Sequence, residues 1–447
     1  MEQPEKHWRW LDSLTPFVAL AGLAASLAPD YLRVRTWEVP GTDFKTLFAA
    51  VRLFSQDNDP YSPHLLRNVF HSDGVIEPAT WFSHMPVYPP FTLAVLRPLA
   101  VFNMATASWI WFLLSAVLMA FALGAMLRWS REELGMPLGW RMLLLAICVA
   151  CPLVGYALEV GNVSTAVSAL AMLAYFLNGK SILRGVLLAL ALLLKPHLAV
   201  WLVIAMLATP VRQVRASALW AACISALFAA LSSAWLFMQG NLASIWQSYR
   251  AMLQAESAAS MSAHSRELLP ITAQITSIWS LAGYVSASPL AKLFAALLIV
   301  ICAAALMWSV WRARYRENSV FHLMIAATWV SFGMIATYHR AHDAQLLLIV
   351  LPVLFTLLGK GRLTFAACDK LTESGTDLSD QGISMRGLQV CSIALLLLLG
   401  GTWFDLGGRD SLLAFRQTSL FSVVFTVLCS IFTVFMLKNA KKSRYRR

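Results

Sequence analysis

The residues with the most chemical potential sit in a few short stretches. Asp43 lies in 41-GTDFKTLFAA-50, just past the first apolar run. A carboxylate there can take the proton of a hydroxyl as that hydroxyl attacks. Cations stand elsewhere: Lys195 and His197 flank Pro196, and His339, Arg340 and His342 crowd into 338-YHRAHD-343. Preorganised cations stabilise charge that develops on a departing phosphate, as on any oxyanion. Tyr88, Glu159, Asn162 and Asp343 add hydrogen-bonding groups near chain turns. One base and a cluster of cations suit transfer to a hydroxyl from a phosphate leaving group.

Each of these residues also has a plainer reading. Asp43, with Thr42 beside it, is placed to cap a helix starting at Phe44. Lys195 lies between two apolar runs, where a lysine is either functional or reaches for the surface. His197, beside Pro196, suits a structural polar contact. Glu159 and Asn162 suit helix ends, and 338–343 also reads as a solvated turn, though five titratable residues in six positions is dense for one. Asp57 and Asp59 suit turns.

The elements that must position these groups are apolar helices. The chain has 447 residues, 59% of them hydrophobic and 13% charged. That composition excludes an ordinary soluble domain. Apolar runs near bilayer length predict spans at 14–30, 104–127, 142–158, 163–178, 216–237, 289–311, 319–337, 343–358, 388–404 and 418–437. The segment 185–209 has Lys195-Pro196-His197 at its centre and basic residues at both ends, which predicts a re-entrant hairpin tipped by Lys195. The fold class expected is an all-α polytopic membrane protein with about ten spans plus that hairpin, in one domain.

This layout orders the charge. The chain carries +12, and the segments assigned to the inner side hold all of it, leaving the outer side neutral. That is the positive-inside pattern, and it removes any reason to invoke nucleic acid. The tail 438–447 reads as a basic cytoplasmic anchor for anionic lipid, and 359–387 as a solvated cytoplasmic loop. The first span resembles a signal sequence, but Pro29 directly after Ser26-Leu27-Ala28 disfavours cleavage, so it reads as an uncleaved helix. The 7 cysteines form no disulfide or metal-site pattern, so no metal and no cofactor is expected, although spacing alone leaves a divalent ion open. Tryptophans such as Trp109, Trp111 and Trp308 read as interface anchors.

Two outer loops are long, 31–91 and 238–288. In the first, Phe44, Leu47, Phe48, Val51 and Phe54 fall at helical spacing opposite Lys45, Arg52 and Gln56, which predicts an amphipathic interfacial helix. Ser62-Pro63 starts a second. Tyr88-Pro89-Pro90 then forces an extended approach to another helix.

Several motifs, in order, resemble glycosyltransferase family 87. They are Asp43-Phe44 after the first span, Asp59-Pro60-Tyr61, Tyr88-Pro89-Pro90-Phe91 with Arg97-Pro98-Leu99, Gly161-Asn162 opening a span, Lys195-Pro196, and Arg340-Ala341-His342-Asp343. The resemblance implies a GT-C fold in a bacterial inner membrane, with the active site facing the periplasm or cell exterior. It implies a polyprenyl-phosphate sugar, mannose-like or another hexose, as donor substrate. It implies Asp43 as the base of an inverting transfer to a glycolipid or glycan acceptor. Lys195, His197, His339, Arg340 and His342 are then candidates for the donor phosphate, and Tyr88, Glu159, Asn162 and Asp343 for substrate contacts.

Two other classes stay open at this point: a flippase for lipid-linked saccharides, and a non-catalytic envelope assembly protein. A flippase favours repeat symmetry and midplane charges, which the sequence does not clearly show. The sugar, the acceptor and the oligomeric state are not legible.

Overall fold

The computed structural model describes residues 14–24, 41–74, 86–209, 211–262, 319–336 and 341–350, with isolated positions in 290–308 and 351–355. Every regular element among them is helical, and no strand occurs. In chain order the helices are α1 (Leu14–Ala24), α2 (Thr42–Ser55), α3 (Pro63–Ser72), α4 (Pro90–Leu96), α5 (Met104–Leu134), α6 (Leu138–Val149), α7 (Pro152–Glu159), α8 (Val163–Phe176), α9 (Ser181–Leu194), α10 (Pro196–Ala208), α11 (Arg212–Met238), α12 (Leu242–Ser262) and α13 (Ser319–Ala336). A 3₁₀ segment continues α4 over Arg97–Val101, and another covers Ala341–Val350. The expected spans at 388–404 and 418–437, the loop 359–387 and the tail 438–447 lie outside the described residues.

Among the described residues, α5 and α11, of 31 and 27 residues, are long and apolar enough to cross a bilayer. The others are shorter. Helices α8, α9 and α10 have 14, 14 and 13 residues, about 20 Å each, against ~30 Å of hydrocarbon. Prolines set some of these lengths. The span expected over 142–158 is two helices, α6 and α7, because Pro152 opens α7 and holds Cys151 in extended backbone (φ −66°, ψ 111°). The residue before proline avoids the helical region, and a proline suits the first helical position.

The same rule breaks the chain at Lys195, whose φ of −152° and ψ of 82° end α9 before Pro196 opens α10. The direction of the two arms follows from their neighbours. Gly185 of α9 lies against Ser217 and Trp220 of α11. One turn on, the Ser225 hydroxyl of α11 donates to the Ala189 carbonyl of α9 (3.3 Å). Helices α9 and α11 therefore run the same way, so α10 returns between them. Lys195 is the tip of a helical hairpin.

Helix α2 is more deeply packed than an interfacial helix. Phe44, Leu47, Phe48, Val51 and Phe54 are buried as the amphipathic pattern predicts, and so are Thr46, Ala49, Ala50 and Leu53. Arg52, read as an outward charge, instead pairs with Asp73 (2.5 Å) and donates to the Phe102 carbonyl (2.8 Å). Asp73 also accepts the Met104 N–H at the start of α5 (2.9 Å). The second outer segment joins the first through α12. Ser248 donates to Asp59 (2.9 Å), and the rings of Tyr61 and Tyr249 lie 5.3 Å apart. Burial, then Tyr249 and Asp59, push the Tyr61 phenol well above its ordinary pKa. It therefore stays protonated and donates to the Tyr88 carbonyl (2.7 Å).

The start of α2 is fixed by the end of α7. Gly161, at φ +66°, closes α7 in a Schellman turn: its N–H reaches the Leu158 carbonyl (3.1 Å), and the Asn162 N–H reaches that of Ala157 (2.9 Å). The next carbonyls, of Glu159 and Val160, would be orphans of a helix C-terminus. They accept the N–H groups of Gly41 and Asp43, both at 2.9 Å. Two helix ends thus satisfy each other by backbone alone. The approach is close: a Cβ on Gly161 would meet the Gly41 Cα and the Phe44 Cβ, each at 2.8 Å. Trp111 seals the contact. Its indole N–H donates to the Gly161 carbonyl (3.0 Å), and its ring stacks on Phe44 at 5.3 Å. Trp111 is therefore a core residue, in place of the interface anchor read from sequence.

Gly161→Ala should lower stability by about 1–3 kcal/mol, through overpacking and left-handed strain. Gly179→Ala, where an added Cβ meets nothing within 4 Å, should be near neutral. Thermal unfolding of both variants in detergent measures the difference.

Candidate active site

The docked helix ends place Asp43 beside Asn162. Because backbone carbonyls meet the first N–H groups of α2, the Asp43 side chain has no capping task, and no side-chain cap occurs at this helix start. The carboxylate is half-buried, and its Oδ2 accepts from Asn162 Nδ2 at 2.7 Å. Among the described residues, no hydrogen bond to Oδ1 is found. Among the described residues, the hydrogen bond from Asn162 thus holds one oxygen of the carboxylate.

Asn162 in turn caps α8. Its Oδ1 accepts from the Ser164 N–H (2.9 Å), with the Ser164 hydroxyl 2.6 Å away. Ser164 is fully buried and is the hub of the cluster. Its hydroxyl accepts from Lys195 Nζ (2.8 Å) and lies in hydrogen-bond contact with Asp343 Oδ1. Lys195 Nζ also donates directly to Asp343 Oδ1 at 2.5 Å. A continuous polar chain therefore runs from Asp43 through Asn162 and Ser164 to the Lys195–Asp343 pair. It gathers the start of α2, the α7–α8 turn, the hairpin tip and the 3₁₀ segment at 341–350.

Burial makes the ion pair strict. The side chains of Lys195 and Asp343 are 9% and 2% exposed. Two charges leave water at a cost of several kcal/mol each, which only good geometry and further hydrogen bonds offset. The 2.5 Å contact and the Ser164 hydroxyl supply both. Lys195 neither snorkels nor stands alone.

The remaining candidates fall as follows. His197 is half-buried on the first turn of α10. Glu159 and Tyr88 are half-buried, and the Glu159 and Tyr88 carbonyls are engaged by Gly41 and Tyr61. The backbone of His342 lies in the 3₁₀ segment directly before Asp343. His339 and Arg340 lie outside the described residues. Among the described residues, no group of three or more metal-ligating side chains occurs. Ser164 escaped the sequence reading, since a serine in an apolar run is ordinary. Its position two residues after a capping asparagine was the available signal.

Chemically, the arrangement is a half-buried carboxylate, held through one oxygen at the end of an apolar helical scaffold and linked by hydrogen bonds to a buried cation. Residues 87–337, more than half of the chain, match glycosyltransferase family 87. The chain belongs to that family and is a membrane glycosyltransferase. Comparisons with curated proteins and with solved structures return no match. The matched stretch contains Asn162, Ser164 and Lys195; Asp43 and Asp343 lie outside it and are joined to it by the hydrogen bonds above.

Lys195→Met should leave Asp343 buried without its cation and destabilise the fold by about 3–5 kcal/mol. Adding Asp343→Asn should recover much of that loss. Unfolding temperatures of the single and double variants in detergent test the coupling.

Proposed function

We propose that this glycosyltransferase moves one hexose, mannose-like or another, from a polyprenyl-phosphate donor to an acceptor hydroxyl on a glycolipid or glycan. Asp43 is the base. Its open oxygen takes the acceptor proton as the acceptor oxygen bonds to the anomeric carbon. The bond from that carbon to the phosphate oxygen breaks on the opposite face, and its electron pair leaves with polyprenyl phosphate. The anomeric configuration inverts. No cofactor enters the proposal.

The observation that carries this reading is the Asn162–Asp43 hydrogen bond within a chain ending at Lys195. It supports a base held in place and linked, through Asn162 and Ser164, to a buried cation. Within the hydrogen-bonded chain of described residues, Asp43 and Asp343 carry two negative charges to the one positive charge of Lys195, which Asp343 already shares. A phosphate therefore needs additional positive charge. We assign that role to His339, Arg340 and His342 with His197, and give Lys195 the task of linking them to the base. Tyr88 and Glu159 are proposed at the substrate margin.

The lipid part of such a donor has apolar surface at hand. A crevice of about 310 Å³ is lined by Val95, Pro98, Ala189, Leu193, Ile224 and Phe228, and Leu193 is two residues from the hairpin tip. The contacts also suit one sidedness. Asp43, the α7–α8 turn, Lys195 and Asp343 meet at one level, all in segments that the charge pattern assigns outside. Asn178 with Glu132 (2.8 Å) and Thr209 with His322 (3.1 Å) join ends assigned inside. A GT-C architecture in a bacterial inner membrane, with this site facing the periplasm, accounts for both sets.

Asp43→Asn should fold and lose about 10²–10⁴-fold in rate. The assay supplies polyprenyl-phosphomannose and a membrane glycolipid extract to the purified protein and measures release of polyprenyl phosphate. Undiminished release would remove Asp43 as base. Donor turnover only with a sugar that is not a hexose would replace the hexose assignment and leave the base in place.

A further inference from the structure

Asn162 was a candidate for touching substrate, yet its surroundings give it another task. It is 5% exposed. Its carbonyl oxygen faces two donors of Ser164, the N–H at 2.9 Å and the hydroxyl at 2.6 Å. An amide flipped end for end would set its NH₂ against that N–H and its oxygen against the Asp43 carboxylate. Both contacts would then repel, so the orientation is settled by the network. The NH₂ must face Asp43 Oδ2.

The backbone around this contact is equally constrained. The Asp43 N–H is held by Val160, one residue before the Gly161–Gly41 contact, and Trp111 locks the Gly161 carbonyl. Both ends of the Asn162–Asp43 hydrogen bond are therefore attached to one rigid junction. The Ser164 hydroxyl has one proton and two acceptors in reach, Asn162 Oδ1 and Asp343 Oδ1. It also accepts from Lys195. Ser164 thus joins the amide that aims the carboxylate to the buried ion pair.

We infer that Asn162 and Ser164 are positioning residues: they clamp Asp43 Oδ2 so that Oδ1 alone faces the acceptor hydroxyl. This rests on the proposed role of Asp43 as base. Fixing a reacting group within a fraction of an ångström is worth large factors in rate. Partners that orient a reactive group in this indirect way typically contribute about 10–100-fold. The clamp acts on turnover and not on substrate affinity, because Asn162 and Ser164 are 5% and 0% exposed.

The charged groups around Asp43 frame the test. Lys45 is on its own helix, Glu159 on α7, Lys195 at the hairpin tip and Asp343 on the 3₁₀ segment. Arg52 and the charged residues of α3 and of the 3₁₀ segment at Arg97–Val101 sit at the opposite end of α2. None of these changes in Asn162→Asp, which retains an oxygen for the Ser164 N–H and so keeps the cap of α8. It exchanges a neutral donor for a second carboxylate beside Asp43. A like charge disfavours the ionised form of its neighbour, and a base must be ionised to accept a proton. The acidic limb of kcat/KM for polyprenyl-phosphomannose should move upward by at least about one pH unit. Ser164→Ala should lower kcat by about 10-fold, with donor and acceptor KM within about twofold, and Ser164→Thr should restore part of the rate.

The inference is overturned if Asn162→Asp keeps the wild-type limb, or if either substitution raises KM at unchanged kcat, the signature of a direct substrate contact. Asp43→Asn separates the two levels. If it retains activity, the base assignment itself fails. If it is inactive while Asn162→Asp titrates as wild type, only the clamp fails. Should Asn162→Asp not fold in detergent, Ser164→Ala decides by its kcat and KM.

Discussion

An ammonium group cannot be taken out of water alone. Lys195 is placed between two apolar helices, and its burial dictates what must surround it. Asp343 supplies the opposite charge, and Ser164 supplies an acceptor. These groups come from distant parts of the chain, so the ion pair also specifies how the hairpin, α8 and the 3₁₀ segment assemble. A pair of this kind is weak evidence for stability, since apolar replacements often do as well. Its value here is in register: it admits one arrangement of three elements, and that arrangement brings Asn162 to Asp43.

The second organising contact uses no side chain. The carbonyls left over at the end of α7 meet the N–H groups left over at the start of α2, and two glycines let the backbones approach. The usual solution at a helix start is a polar side chain. Meeting that need with a second helix leaves the carboxylate of Asp43 unspent. The chemistry proposed for this residue depends on that release.

The sequence reading and the structure agree where covalent chemistry is decisive. Lys195-Pro196 breaks the chain into two helices because proline restricts the residue before it; the same rule divides the single span expected over 142–158 at Cys151-Pro152, a break that the apolar run conceals. Gly161-Asn162 ends one helix and starts the next because glycine tolerates positive φ and asparagine caps. Asp43 and Lys195 could be singled out as polar groups beside or between apolar runs, though pattern alone could not separate base from cap; the carbonyls that relieve Asp43 of capping belong to residues more than a hundred positions away. The burial of α2 was hidden for a related reason. An apolar stripe looks the same whether it faces lipid or protein, and the burial of Ala49 and Ala50 on the remaining surface leaves no periodic signal. Arg52 reads as a solvated charge until Asp73 is brought to it. Ser164 gave no sign because its importance comes from its neighbours in space.

The tie at Arg52 has its own consequence. One guanidinium holds Asp73, at the end of α3, and the Phe102 carbonyl, while Asp73 holds the first N–H of α5. Asp73 and Met104 are 31 positions apart in the chain. These bonds tie the end of α3 and the start of α5 to a single side chain of α2. Loss of that one guanidinium would therefore free two helix ends from α2 at once, at the opposite end of that helix from Asp43.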